Sequence, residues 1–403
     1  MATRVAVTDI SLVTPFSEDT KISWDNIVAG NSAISKIIRF DTSNLNIDLA
    51  GCINYYPEAY RGSAALTEKL AFSALNSLSK DTYDSYTGFV LALPPLELDW
   101  AARFMLSKIP TYAEMLKKVN VNFYESINIS NITKKLKFLF NFAGHPIVVN
   151  TACASGATAI TLGINAINSG IYDRVVVVAA DGSITQESMI RFSLLGALSQ
   201  NDSKNYNCSR PFDKNRNGFV MAEGAAAFVL ERAENVKKRG EEIIAYISGS
   251  SEVTDNFHLT RASNGSYAAI KAIKQALSNA QISIFDIDSI NAHATGTKEN
   301  DKSEYQALYE IFGDRLSNIY VTANKSILGH CLSAAGAIEI AISCLSVYNS
   351  IIPPTINCDD QDHNINLNIV KKQPLNIDIK HILSNSFGFG GQNSCVIVSK
   401  FDT

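Results

Sequence analysis

A chain of 403 residues with 46% hydrophobic content carries the apolar surface for a large core, built as one domain or as two related halves. Its formal net charge of −4 argues against a nucleic-acid-binding surface. Seven scattered cysteines without a C-x-x-C pair argue against a disulfide framework and a zinc site and fit a reducing cytoplasm, and no basic-then-apolar leader or ~18-residue apolar run points to export or a membrane.

Residues 4–7 read as a strand, and Val13-Thr14-Pro15 closes the loop after it, ahead of a helix over 23–30. Helical spacing returns over 64–78, and 87–93 reads as a buried strand that stops at Pro94-Pro95. Two helices are expected over 99–107 and 112–119. Beyond them Lys134, Lys135 and Lys137 beside Phe138, Leu139 and Phe140 read as a solvated helix face, with a patch for an acidic partner as the alternative.

The stretch 148–160 starts apolar and β-branched, like the end of a buried strand, and turns without a break into small residues that open a helix. Cys153 therefore falls at a strand-to-helix junction, where free N–H groups and the helix dipole would favour a thiolate. On this stretch alone a buried core cysteine is an equally good reading.

The helix over 154–169 ends at Gly170, and strand 174–180 is apolar on both faces, the mark of a parallel sheet. Further strands are expected over 219–230 and 243–248, joined through a turn and a charged segment, 231–242. The second half repeats the style with helix 266–280, strand 287–292, helix 300–312, strand 319–323, helix 333–347 and strands near Ile382 and Val396. Laying Cys153 on Cys331, 178 positions apart, pairs CASGATAI with CLSAAGAI in five places of eight. That predicts two similar halves, divided as 1–250 and 251–403, with their central helices facing each other and both helix ends at one active site.

Four other stretches carry chemistry-bearing side chains. In Asn291-Ala292-His293-Ala294-Thr295-Gly296-Thr297 a strand ends at a histidine and a hydroxyl-rich loop follows, suited to a polar ligand. Asn324-Lys325-Ser326-Ile327-Leu328-Gly329-His330 runs into the Ala-rich helix that bears Glu339, in the half-repeat position of Cys153. The glycines of Asn385-Ser386-Phe387-Gly388-Phe389-Gly390-Gly391 let backbone N–H groups approach a ligand; a strand follows, which fits an oxyanion site better than a phosphate loop. Residues 209–219, a polar loop entering an apolar strand, read by themselves as a surface turn.

Taken together, TACASG, SRPFDKNRNGFVMAEGA, NAHATGTKEND, NKSILGH with the following AAGAIE, and NSFGFGG resemble, in order and spacing, the signature blocks of the β-ketoacyl synthases, the condensing enzymes of fatty-acid and polyketide synthesis. The opening VAVTDISLVTP and RFDTS resemble that family's N-terminus, so the likeness covers nearly the whole chain. It implies a thiolase-like α/β fold, two βαβαβαββ halves stacked as five αβαβα layers. The implied activity is decarboxylative condensation of a Cys-bound acyl chain with malonyl-[acyl carrier protein], in fatty-acid or specialised polyene- or polyketide-type synthesis. Alternatives are a condensing subunit that works only with a chain-length-factor-like partner, and a non-decarboxylating thiolase.

By the same resemblance Cys153 accepts the acyl group, and the N–H groups of Cys153 and Phe389 form an oxyanion hole flanked by Gly388, Gly390 and Gly391. His293 and His330 meet the malonyl thioester carbonyl, Lys325 orients the histidines with Glu339 as its counter-charge, and Asp301 and Glu304 brace the loop. Thr295 and Thr297 match the family's contacts to the phosphopantetheine arm, which arrives on the carrier protein. No metal or redox cofactor is implied. The expected partners are an acyl carrier protein and a second ketosynthase-like chain, identical or not. The chain departs from the family pattern at Asp9 and Ser11, where a glycine is usual, at 91–97, across 94–145, and at Gln200, where a basic carrier-contacting residue is common.

Overall fold

The alternation of apolar strands and helices closes into one mixed sheet covered by helices in a computed structural model that describes residues 4–59, 63–79, 87–96, 103–104, 107–108, 128–142, 144–200 and 207–401. The helix expected over 112–119, and most of that over 99–107, lies outside the described residues. In the first half the chain forms β1 (Val5–Val13), α1 (Thr20–Val28), α2 (Ser63–Asn76), β2 (Thr87–Ala92), α3 (Ile129–Leu139), β3 (Ile147–Val149), α4 (Ser155–Asn168), β4 (Arg174–Asp181), α5 (Gln186–Leu194), β5 (Gly224–Arg232) and α6 (Ala233–Arg239). The second half forms β6 (Ala245–Thr254), α7 (Tyr267–Ala280), β7 (Ser289–Asn291), α8 (Lys298–Phe312), β8 (Tyr320–Thr322), α9 (Lys325–Leu328), α10 (Ala335–Asn349), β9 (Asn368–Ile369), β10 (His381–Gly388) and β11 (Gln392–Ser399). The division expected at 250 falls inside β6.

The strands lie in the order β9-β8-β7-β10-β11-β6-β1-β5-β4-β2-β3. The run β1-β5-β4-β2-β3 makes two antiparallel pairings and then two parallel ones, and β6-β11-β10-β7-β8 repeats that pattern. The halves join where Val5, Ala6 and Val7 of β1 pair with β6. Helix α2 covers the outer face of the first half-sheet, α7 and α8 that of the second, and α4 and α10 pack together between the two. These are the five layers of the thiolase-like fold.

Strand β4 shows why the sheet is buried on both faces. Val175 and Val177 enter the central core, whereas Val176 and Val178 enter the outer core under α2, the two-residue alternation of a strand. Each such side chain contributes about 1.5–3 kcal/mol on burial. Small residues on α4 serve the central layer, since a Cβ on Gly156 would lie 2.4 Å from the backbone N of Ala337 on α10. The helical run Leu332–Asn349 is 18 residues long and apolar enough to span a membrane by composition, but 83% of it is buried in this layer.

Several local expectations need correction. Among the described residues the strand before Cys153 is an edge strand, β3, with Ile147 42% and Val148 37% exposed; an apolar run does not distinguish an edge strand from an interior one. Strand β1 runs on to Val13 past a register shift at Asp9, whose carboxylate accepts from Ile10 N (2.8 Å) and Ser79 N (2.7 Å). Polar side chains at the shift broke the apolar pattern. The charged segment 231–242 holds the short helix α6, ended by Gly240 at φ 69°. Residues 219–222 form isolated bridges only, to Leu198, His330 and Gly51, before β5 begins at Gly224.

Candidate active site

The turn that carries Cys153 is held in a strained backbone conformation. Ala152 takes φ 50°, and the turn is fixed when Ala154 N donates to Thr151 O (3.1 Å) and Ser155 N to Ala152 O (3.2 Å). The Ser155 hydroxyl binds both ends, accepting from Thr151 N at 2.8 Å and donating to Ala152 O at 2.6 Å. Strain of this kind in a non-glycine residue persists where its surroundings hold it. Cys153 is thereby turned, half-buried, into a cleft of about 320 Å³ also lined by His293, His330, Phe387 and Phe389.

Opposite the turn stands the end of β10. A Cβ at Gly388 would lie 2.8 Å from Thr151 O and 3.2 Å from the N of Cys153, so only glycine lets the strand end press against the nucleophile turn. The next residue, Phe389, presents its backbone N–H to the Cys153 sulfur. Gly390 and Gly391, at φ 85° and 82°, reverse the chain and are tied down where Gly390 N donates to Leu259 O (2.7 Å) and Asp255 N to Gly391 O (2.6 Å).

The histidines enter from loops after β7 and α9. His293 is buried; its N–H and that of Ala294 each donate at 2.8 Å to the two carboxylate oxygens of Glu304 on α8. Lys325 Nζ donates to His293 O (2.6 Å), lies 3.3 Å from His293 Nδ1 and pairs with Glu339 of α10. With a donor beside Nδ1, that nitrogen is assigned as acceptor and the proton sits on Nε2. The His330 backbone is clipped between Val220 and Ala222 (2.7 and 2.9 Å). Its ring meets Phe219 edge-on at 5.2 Å and His293 at 5.5 Å.

Burial dominates the electrostatics. It holds both imidazoles well below their ordinary range, with Lys325 adding to the effect, so both rings are neutral at neutral pH. It pushes the Cys153 thiol up to about 11, against the pull of Lys325 and the Phe389 N–H. The helix end therefore does not by itself yield a resting thiolate. Glu339 is raised by burial to about 7, opposed by Lys325.

The remaining predicted residues fall around this cleft. Thr295 and Thr297 line it and share a 2.9 Å hydroxyl contact, while Thr297 also caps α8. Asp301 accepts from Gly296 N (3.1 Å) and Phe212 N (2.9 Å) and meets Arg216. The 209–219 loop is thus no surface turn: Phe212, Asp213 and Arg216 are buried, and Ser209 Oγ donates to the carbonyl of Lys325 at 2.6 Å. Its polar residues look solvated in sequence because their partners lie far away in the chain.

Two regions of known sequence families match the chain. The β-ketoacyl synthase N-terminal domain matches residues 104–235 and its C-terminal domain residues 244–359. The 3-oxoacyl-[acyl-carrier-protein] synthase 2 of Staphylococcus aureus is 30% identical over 417 aligned positions, covering 99% of both chains. The chain belongs to the β-ketoacyl synthase family. Among solved structures, a type II polyketide acyl-carrier protein in complex with its hexaketide-bound ketosynthase matches at TM-score 0.88 with 26% identity, and the ishigamide ketosynthase/chain length factor at 0.87 with 26% identity, each over 100% of both chains.

Against that family pattern, sequence reasoning passed over two buried carboxylates. Glu223 pairs with Arg39 at 2.6 Å and accepts from Ile53 N (2.9 Å) and Ile184 N (3.3 Å), joining three segments behind the His330 clip. Asp181, at the end of β4, accepts from Ser183 N and Ser333 N, both at 3.0 Å, and so holds the turn that follows His330. Glu223 stands within the quoted FVMAEGA block, a signal that was available. Asp181 follows an apolar strand and carries no local mark of its partners.

Proposed function

We propose that this chain is a β-ketoacyl-[acyl carrier protein] synthase that performs decarboxylative condensation, with Cys153, His293 and His330 as its catalytic residues. One observation carries the reading: a half-buried thiol, two neutral imidazoles and a backbone N–H converge on a single cleft. In the first step the Cys153 sulfur, losing its proton, attacks the acyl-carrier thioester, and the carrier thiol leaves. The malonyl-carrier then loses its carboxylate as carbon dioxide, and the electron pair moves to the thioester oxygen as an enolate. The N–H groups of His293 and His330 stabilise that oxygen; neutral imidazoles suit the task because each keeps a proton to donate.

The enolate carbon then attacks the Cys153 thioester carbonyl. Its oxyanion is met by the N–H groups of Cys153 and Phe389, and collapse expels the Cys153 thiolate with the β-ketoacyl carrier as product. Lys325, held by Glu339, sets the His293 tautomer. Glu304 and Asp301 fix the loop from 293 to 297, and Thr295 and Thr297 hold the phosphopantetheine arm of the carrier. The route requires no metal or redox cofactor. Seven free cysteines support a reducing cytoplasm.

The carrier protein is the substrate-bearing partner, by analogy with the carrier-bound ketosynthase that the fold matches. A second ketosynthase-like chain is proposed as the other partner, and the exposed edge strand β3, one turn before Cys153, supports it: an open edge bearing Ile147 and Val148 calls for cover. A polyketide-type chain is the favoured product class, supported by the match to a type II polyketide ketosynthase bound to its hexaketide. Incubation with acyl-carrier and mass spectrometry tests the reading. The wild-type protein should gain the acyl mass on Cys153 and extend it with malonyl-carrier, and Cys153→Ala should gain none; acylation of Cys153→Ala would overturn the assignment.

A further inference from the structure

Three groups of the proposed decarboxylation site, His293, Lys325 and Glu339, stand on three different segments, the loop after β7, α9 and α10. Something must fix their spacing, because a misplacement of about 1 Å in a reacting constellation costs on the order of a hundredfold in rate. Two side chains outside the cleft span the gap. Asn324, the residue before Lys325, donates its amide to Asn291 Oδ1 at 2.9 Å. Asn291, two residues before His293, donates its own amide to the Glu339 carbonyl at 2.8 Å and to Ser343 Oγ at 3.0 Å, and Ser343 Oγ donates to the same carbonyl at 2.8 Å.

We propose that the Asn291–Asn324 amide pair is a positioning device that sets the relative places of His293, Lys325 and Glu339 for decarboxylation. This rests on the condensing role proposed above. Both asparagines are 1% exposed, and neither lines the cleft, so they act only through the groups they hold. The chemistry suits the task. A primary amide both donates and accepts, so one pair of side chains can bridge β7, α9 and α10 with directional bonds, which apolar packing does not supply. The nucleophile turn and the Phe389 N–H are held by separate hydrogen bonds. Acyl transfer to Cys153 and chain extension therefore depend on different supports.

Asn291→Leu, Asn324→Leu and the double variant test this, with Asn324→Ser retaining a shortened donor. Extension from malonyl-carrier should fall on the order of tenfold or more in each Leu variant, the cost of stranding a buried amide partner, while the rate of Cys153 acylation, which Lys325 affects only through its charge, falls by much less. The double variant should lose no more than the worse single one, because the pair acts as a unit, and Asn324→Ser should recover part of the loss. If a Leu variant does not fold, as judged by circular dichroism, Asn324→Ser and Asn291→Ser carry the same comparison. Equal losses in acylation and extension, unchanged extension, or multiplicative loss in the double variant would overturn the proposal. Absence of both steps in the wild-type protein would instead overturn the condensing role itself.

Discussion

Cys153 and Cys331 occupy the same place in the two halves, just ahead of the central helices α4 and α10, yet only Cys153 opens on the cleft. Cys153 is half-buried in the cleft with the Phe389 N–H on its sulfur. Cys331 is 2% exposed, and its sulfur leans on the carbonyl of Glu223 at 3.6 Å. Burial raises both thiols, Cys331 far more, with Asp181 and Glu339 adding to it. The difference teaches that a helix end does not make a nucleophile. Access and an aimed donor set Cys153 apart, and the second half places His330 at its junction, one residue earlier, clipped by backbone hydrogen bonds to Val220 and Ala222.

The largest expected contrast between the two junctions is in alkylation. Iodoacetamide should label Cys153 in the native protein and leave Cys331 unlabelled, as read by peptide mass mapping. Because the Cys153 thiol is raised, its thiolate grows as pH rises, so its labelling should climb roughly tenfold per pH unit below about 11. A rate already flat above neutral pH would show that the helix end outweighs burial, and labelling of Cys331 would erase the contrast.

The histidines separate the two junctions by step. His330→Ala or His293→Ala should leave Cys153 open to acylation and reduce extension on the order of a hundredfold or more. Normal product from either variant would remove that histidine from the mechanism. A smaller effect is expected at Gly388, where the end of β10 presses against the Cys153 turn. In Gly388→Ala the new Cβ must push back Thr151 O and the Cys153 N, which should slow both acylation and extension by roughly tenfold to a hundredfold, the scale of a lost oxyanion donor. Unchanged turnover would show that the β10 end yields without moving the donor.

Sequence alone determined much of this. The small residues after Cys153, His293 just past a strand end, Lys325 and His330 flanking a short helix, and the glycines after Phe387 are local patterns, each tied to local backbone chemistry. The internal repeat was legible because the central helices must be slim to pack, and slim helices share a vocabulary of Ala, Ser and Gly. Family resemblance then named the chemistry that these patterns left open between core packing and catalysis.

Tertiary structure decided what depends on partners far along the chain. Residues 209–219 look like a solvated turn until Asp301 and Lys325 are brought against them, and β3 looks like an interior strand until the sheet is seen to end there. The protonation of Cys153 follows from burial, which no stretch of sequence displays. Asn291 and Asn324 are ordinary residues near strand ends; only the approach of β7, α9 and α10 in the buried central layer turns them into a bridge, because there both side chains are buried and a buried amide needs a partner.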